Sequence, residues 1–159
     1  MAKGISLHIG VNECHPDGYG GWTGPLRACE FDASDMFELA SSQGFEARKL
    51  LTAEATHDAV TTGIREAAAK LAPGDMFFLS YAGHGGQVLD ANKDDDDGKD
   101  ETWCLYDKQL IDDELRALWP EFQEGVRVLV VSDSCHSGTM TRAPSVDDPE
   151  LGELVGSLQ

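Results

Sequence analysis

Three short runs constrain this chain more than any other feature: Ile5-Ser-Leu-His-Ile-Gly-Val11, Met76-Phe-Phe-Leu-Ser-Tyr81 and Val126-Arg-Val-Leu-Val-Val131. Each is nearly continuous in apolar, β-branched or aromatic residues. Such runs suit strands buried on both faces, as in a parallel sheet covered by helices. Residues 46–51, after Gly44, form a weaker fourth candidate. Between the strands lie helical patterns. Residues 26–43 place Leu26, Cys29, Ala33, Met36, Phe37 and Ala40 at three- and four-residue spacing, with Gly44 as the stop. Thr56 caps a second helix through Leu71, carrying Val60, Ile64, Ala67 and Ala68 on one face and ended by Pro73-Gly74. Asp112 or Asp113 caps a third, bearing Leu115 and Leu118 and closed before Pro120. The order β-α-β-α-β-loop-α-β predicts a three-layer α/β fold with right-handed crossovers.

At 159 residues the chain has room for one core. Its net charge of −17 argues against nucleic acid, whose phosphates need clustered Lys and Arg. An acidic field draws cationic ligands, and it also keeps a protein soluble. The acid peaks between Asp90 and Glu101, where seven carboxylates meet two lysines, and residues 87–99 read as a solvated loop or irregular hairpin. No stretch approaches the ~18 apolar residues of a membrane span, and the first residues lack the apolar core of a secretory signal. Four scattered cysteines without a CxxC pair read as reduced thiols, so the expected location is cytoplasmic, with no membrane partner. Residues 1–142 read as one folded domain and 143–159 as a flexible tail or linker.

In a parallel α/β sheet the chemistry sits at the carboxyl ends of strands. One run ends in Tyr81-Ala-Gly-His84-Gly85-Gly86, another in Ser132-Asp133-Ser-Cys135-His136-Ser-Gly138. If these strands are neighbours, an imidazole and a thiol face each other, and the base can take the thiol proton to make a nucleophile. The flanking glycines admit a substrate backbone and leave N–H groups for an oxyanion. Singly, a Cys after a buried strand is a small core residue and a His is polar surface. Jointly, at strand ends in Gly-rich turns, they point to catalysis. Asp133 would oppose ionisation of a thiol two residues away and makes more sense as the floor for a cationic side chain.

The two motifs, Tyr81-Ala-Gly-His84-Gly and Asp133-Ser-Cys135-His-Ser-Gly, resemble the signatures of the metacaspase and bacterial caspase-homologue family. Leu26-Arg-Ala-Cys29-Glu-Phe-Asp32-Ala and Asp100-Glu-Thr-Trp-Cys are similar to further family segments, in the right order. The resemblance implies a caspase-like cysteine endopeptidase cutting protein or peptide substrates after Arg or Lys. In it Cys135 is the nucleophile and His84 the base and acid. The N–H groups of Gly85 and Cys135 line the oxyanion hole, and Asp133, Asp32 and Cys29 form the pocket for the basic P1 side chain. Ala82 stands where some relatives have Ser.

The resemblance also implies calcium at Asp100, Asp112 and Asp113, hard oxygen ligands suited to that ion. Arg142 falls where the family has a further acidic ligand. Helix capping by Asp112 or Asp113 is the competing reading of those two positions. The sheet of such proteins has six strands, and four are expected here. A small-subunit chain or C-terminal segment is therefore the expected partner, and Arg142 is a candidate for self-cleavage. A catalytically silent caspase-like regulatory or assembly module is the alternative.

Overall fold

The computed structural model describes residues 2–89 and 99–135. The strands are β1 (Gly4–Gly10), β2 (Glu46–Leu51), β3 (Met76–Leu89), β4 (Lys99–Cys104), β5 (Gln109–Ile111) and β6 (Arg127–Cys135). The helices are α1 (Cys29–Ser42), α2 (His57–Lys70) and α3 (Asp112–Arg116). Four strands run parallel in the order β2-β1-β3-β6. Beyond His84, β3 changes partner and pairs antiparallel with β4 from Gly85↔Trp103 onward, and β4 pairs with β5.

The helices must lie on opposite faces, because the step from β1 to β2 and the step from β2 to β3 run in opposite directions and right-handed crossovers fix the side of each. The side chains agree. Ile5, Leu7, Ile9 and Val11 join Val60, Ile64, Ala67 and Leu71 of the α2 side in the main core, together with Phe77, Leu79 and Tyr81. The alternate positions meet α1: a Cβ on Gly10 would collide with the Cys29 carbonyl and stand 2.9 Å from the Ala33 Cβ. The expected α/β layering is what the chain adopts. No helix among the described residues is long and apolar enough to cross a membrane.

Three expectations are corrected in detail. α1 starts at Cys29 rather than Leu26, and the segment before it is tied to the loop after β1 by the Leu26 N–H to Asn12 carbonyl bond, 2.6 Å. α3 is capped neither by Asp112 nor by Asp113, which occupy its first turn. Instead the Glu114 carboxylate accepts from the Ile111 N–H at 3.2 Å. Of the two readings of residues 87–99, the hairpin is the one that fits: residues 87–89 end β3 and Lys99 begins β4, paired antiparallel. Six strands, not four, are present among the described residues, the extra two being the antiparallel pair β4 and β5. The 143–159 tail and Arg142 lie outside the described residues.

The α1 face carries a buried polar pair, His8 and Ser80, with Nδ1 and Oγ 2.8 Å apart. Burial pulls the His8 pKa down to about 4. Below pH 6.5 the unfolded chain therefore takes up a proton that the fold refuses, so the stability His8 permits is complete above pH 6.5 and is lost as pH falls towards 4. The difference amounts to about 3 kcal/mol. Urea midpoints of wild type and His8→Gln, compared from pH 7.5 to 4, should converge by about that amount. A constant gap would show that His8 is not held neutral.

The two edges of the parallel sheet differ. β2 carries Glu46, Arg48 and Lys49, charges that blunt an edge against pairing. β6 has Val128, Leu129 and Val130 at 37%, 43% and 38% exposure, apolar side chains on both faces of a nine-residue edge strand.

Candidate active site

His84 stands on the last residue of β3 that pairs with β6, and its register partner there is Cys135. Neighbouring strands lie about 4.8 Å apart. The imidazole and thiol motifs are therefore side by side at the carboxyl end of the parallel sheet, where the strand order opens a crevice. The Cys135 side chain is outside the described residues.

His84 is 5% exposed and held from three directions. Its Nε2 lies 2.8 Å from the Gly24 carbonyl, and since a carbonyl only accepts, Nε2 carries the hydrogen. That tautomer leaves Nδ1 with the lone pair, and Nδ1 is buried without a hydrogen-bond partner among the described residues. The Trp22 ring packs against the imidazole at 4.9 Å, tilted by 59°. The backbone is fixed by Tyr81, whose buried hydroxyl reaches both the His84 carbonyl (2.7 Å) and the Cys104 carbonyl (3.1 Å). Burial holds the Tyr81 phenol well above its usual pKa, so it remains a donor. Its ring stacks on Trp103 at 4.6 Å. A side chain at Gly83 would collide with the Tyr81 hydroxyl, which explains the small residue before His84. Gly85 follows at the point where β3 exchanges β6 for β4, and a Cβ there would press on Ser134 at 3.2 Å.

Sequence reasoning missed Trp22 and Gly24. Gly24 has φ +51°, and a Cβ would collide with the Trp22 ring and come within 2.9 Å of His84 Nε2, so only glycine fits. The available signal was Gly20-Gly-Trp-Thr-Gly24, a glycine cluster denser than a plain turn requires.

On the α1 side, Asp32 and Asp133 line one cavity of about 210 Å³, with Asp35, Ser80, Ala82 and Val131. Asp133 is the register partner of Ala82, two residues below Cys135. Asp35, one turn beyond Asp32, is a third carboxylate that the sequence reading did not include. Cys29 is buried at the start of α1, where its carbonyl packs against Gly10 rather than lining the cavity. Burial pushes the Cys14 thiol up to about 11 and raises Cys104 further, so neither ionises near neutrality.

The residues expected to hold calcium are arranged differently. Arg116 bonds Asp112 at 2.9 Å and Asp113 at 3.2 Å, so one guanidinium bridges both carboxylates. Asp100 lies in β4 with its side chain outside the described residues. Among the described residues no three His, Cys, Asp or Glu side chains converge on a metal position. Arg116 does not use the whole of this pair, since Asp112 Oδ1 is buried without a hydrogen-bond partner among the described residues.

Comparison with known proteins agrees with this architecture. The metacaspase peptidase C14 domain profile matches residues 5–144. Metacaspase-1 of Kluyveromyces lactis is 30% identical over 96% of this chain and 39% of its own length. Metacaspase-1 of Pyricularia oryzae is 33% identical over 91% of this chain and 39% of its own. A crystallographically solved protein from Geobacter sulfurreducens superposes with a TM-score of 0.80 at 57% identity, covering 86% of this chain and 52% of that one. The chain thus spans about two fifths of these curated relatives and half of the solved one. With a caspase-like α/β fold and a family match over most of its length, the chain belongs to the metacaspases.

Proposed function

We propose that this chain carries the catalytic centre of a cysteine endopeptidase that cleaves protein or peptide substrates after Arg or Lys. The observation that carries the reading is the register pairing of His84 with Cys135, with His84 Nε2 committed to the Gly24 carbonyl. That commitment leaves Nδ1 as the base. In the proposed cycle Nδ1 takes the Cys135 proton, and the thiolate attacks the scissile carbonyl carbon. The oxygen becomes an oxyanion met by the N–H groups of Gly85 and Cys135. The imidazolium then gives its proton to the departing amine, leaving a thioester. Water, deprotonated by Nδ1, attacks the thioester, and the proton returns to the Cys135 sulfur as the acid leaves. The P1 side chain enters the cavity between Asp32 and Asp133, whose carboxylates suit a guanidinium or ammonium.

Hydrolysis of paired fluorogenic peptides, P1 Arg against P1 Asp, tests this, with Cys135→Ala as control. The expected result is turnover of the Arg peptide alone, abolished in the variant. Turnover of neither by the chain, alone or supplied with the part of the Geobacter relative it does not span, would sink the reading.

The sheet also needs a partner in this account. The β6 edge, apolar from Val128 to Val131 with its charges confined to Arg127 and Asp133, is the surface to which a further strand-forming segment, in the same protein or a small-subunit chain, would add. Leu129→Lys on that edge should weaken assembly with such a segment by about tenfold or more while leaving the urea midpoint of the isolated chain within about 0.5 kcal/mol. Unchanged assembly, followed by analytical ultracentrifugation, would exclude the β6 edge as the joining surface.

A further inference from the structure

We propose that Trp22 is a positioning residue for His84: its indole, packed against the imidazole, holds the ring on the Gly24 carbonyl and so keeps Nδ1 the basic nitrogen. The inference rests on the reading of His84 as the proton-transfer group and adds a residue that the catalytic motifs do not contain.

A histidine at a strand end can rotate about its terminal side-chain bond, and a half-turn of the ring would take Nε2 away from Gly24. One hydrogen bond is a weak restraint on such a rotation, since its net contribution is about 1 kcal/mol. The Trp22 ring supplies the second restraint by occupying the space beside the imidazole, 4.9 Å centre to centre. Trp22, Gly24 and His84 form a single contact. The volume that a Gly24 side chain would need is filled by the six-membered ring of Trp22, and the same position lies 2.9 Å from His84 Nε2.

Trp22 is itself fixed. Its backbone N–H donates to the Tyr19 carbonyl at 3.1 Å, and its ring lies 6.0 Å from the Tyr19 ring. The Tyr19 hydroxyl donates to the Leu105 carbonyl at 2.6 Å. The strands of this loop are closed by Cys14 N–H to Thr23 carbonyl (2.8 Å) and Leu26 N–H to Asn12 carbonyl (2.6 Å). A chain segment sixty residues from His84 thereby meets its ring with a carbonyl at one nitrogen and an indole beside it. Trp22 does not line the acidic cavity, so it orients the base without touching the P1 side chain.

The experiment reads the tautomer of His84 by long-range ¹H–¹⁵N correlation at pH 8, in wild type, Trp22→Ala and Trp22→Phe. Wild type should show a single Nε2–H form, Trp22→Ala a mixture of both tautomers, and Trp22→Phe a return to the single form. If the amide spectrum shows that the alanine variant does not fold, Trp22→Leu takes its place. It keeps apolar volume but offers no ring face, and a mixture is again expected. A single Nε2–H form in the alanine or leucine variant, or a mixture in the phenylalanine variant, would overturn the proposal. In parallel, kcat for a P1-Arg peptide should fall by roughly tenfold to a hundredfold in Trp22→Ala, with KM within about twofold. The tautomer measurement needs no turnover, so an inactive wild type would count against the peptidase reading and leave the role of Trp22 separately decided.

Discussion

Replacing His84 with alanine should lower kcat for a P1-Arg peptide by about a thousandfold or more, equivalent to about 4 kcal/mol of transition-state stabilisation. Two functions are lost at once, removal of the Cys135 proton and delivery of a proton to the leaving amine. KM should change little, because His84 is not among the residues lining the acidic cavity. Iodoacetamide offers an independent reading. Cys14, Cys29 and Cys104 are buried, and burial holds the first and last protonated, so the fast adduct should map to Cys135. That adduct should form more slowly in His84→Ala. Alkylation of Cys135 at the same rate with and without His84 would mean that the two do not act as a pair and would favour a catalytically silent module.

The second large effect is expected at Asp133. Asp133→Asn should reduce kcat/KM for the P1-Arg peptide on the order of a hundredfold, about 3 kcal/mol, since a charge-assisted hydrogen bond to the guanidinium is replaced by a neutral one. Asp32→Asn should act in the same direction, and Asp35→Asn more weakly, because Asp35 sits a helical turn further along α1. Iodoacetamide reactivity of Cys135 should not fall in Asp133→Asn, since the substitution removes a negative charge from the strand that bears the thiol. A matching loss of alkylation and turnover would assign Asp133 to the integrity of the site rather than to recognition.

β1, β3 and β6 were legible because each begins as a compact apolar run, and both faces of β1 and the first half of β3 are buried, whereas β2, with Glu46, Arg48 and Lys49, gave a weaker signal. The antiparallel pair was not legible. β4 is rich in charge, and Gly85-Gly86 reads as a turn, yet β3 continues through both glycines. Their absent side chains admit Ser134 beside Gly85 and the Thr102 hydroxyl within 2.8 Å of a Gly86 Cβ position. The ladder to β4 is held by backbone pairing, which leaves no hydrophobic signature in the sequence.

At the candidate site, strand ends and Gly-rich turns are local features, so the sequence could single out His84, Cys135 and Asp133, whereas Asp32, on α1, came forward only through the family resemblance. Gly24 and Trp22 were missed for the opposite reason, although the glycine cluster around them marked an unusual turn. Their meaning comes from a contact with His84 sixty residues away, made by a carbonyl that any residue possesses. Asp112 and Asp113 show the same limit, since sequence offers them as ligands while their partner is Arg116.

The central claim is that His84 and Cys135 work together beside an acidic P1 cavity. Its most direct test is intact-mass analysis after exposure to a peptidyl chloromethyl ketone carrying Arg at P1, against the same reagent carrying Asp. The account expects one adduct with the Arg reagent, mapped to Cys135, slowed in His84→Ala and in Asp133→Asn, and little with the Asp reagent. Equal labelling by both reagents, or an adduct on another residue, would contradict it.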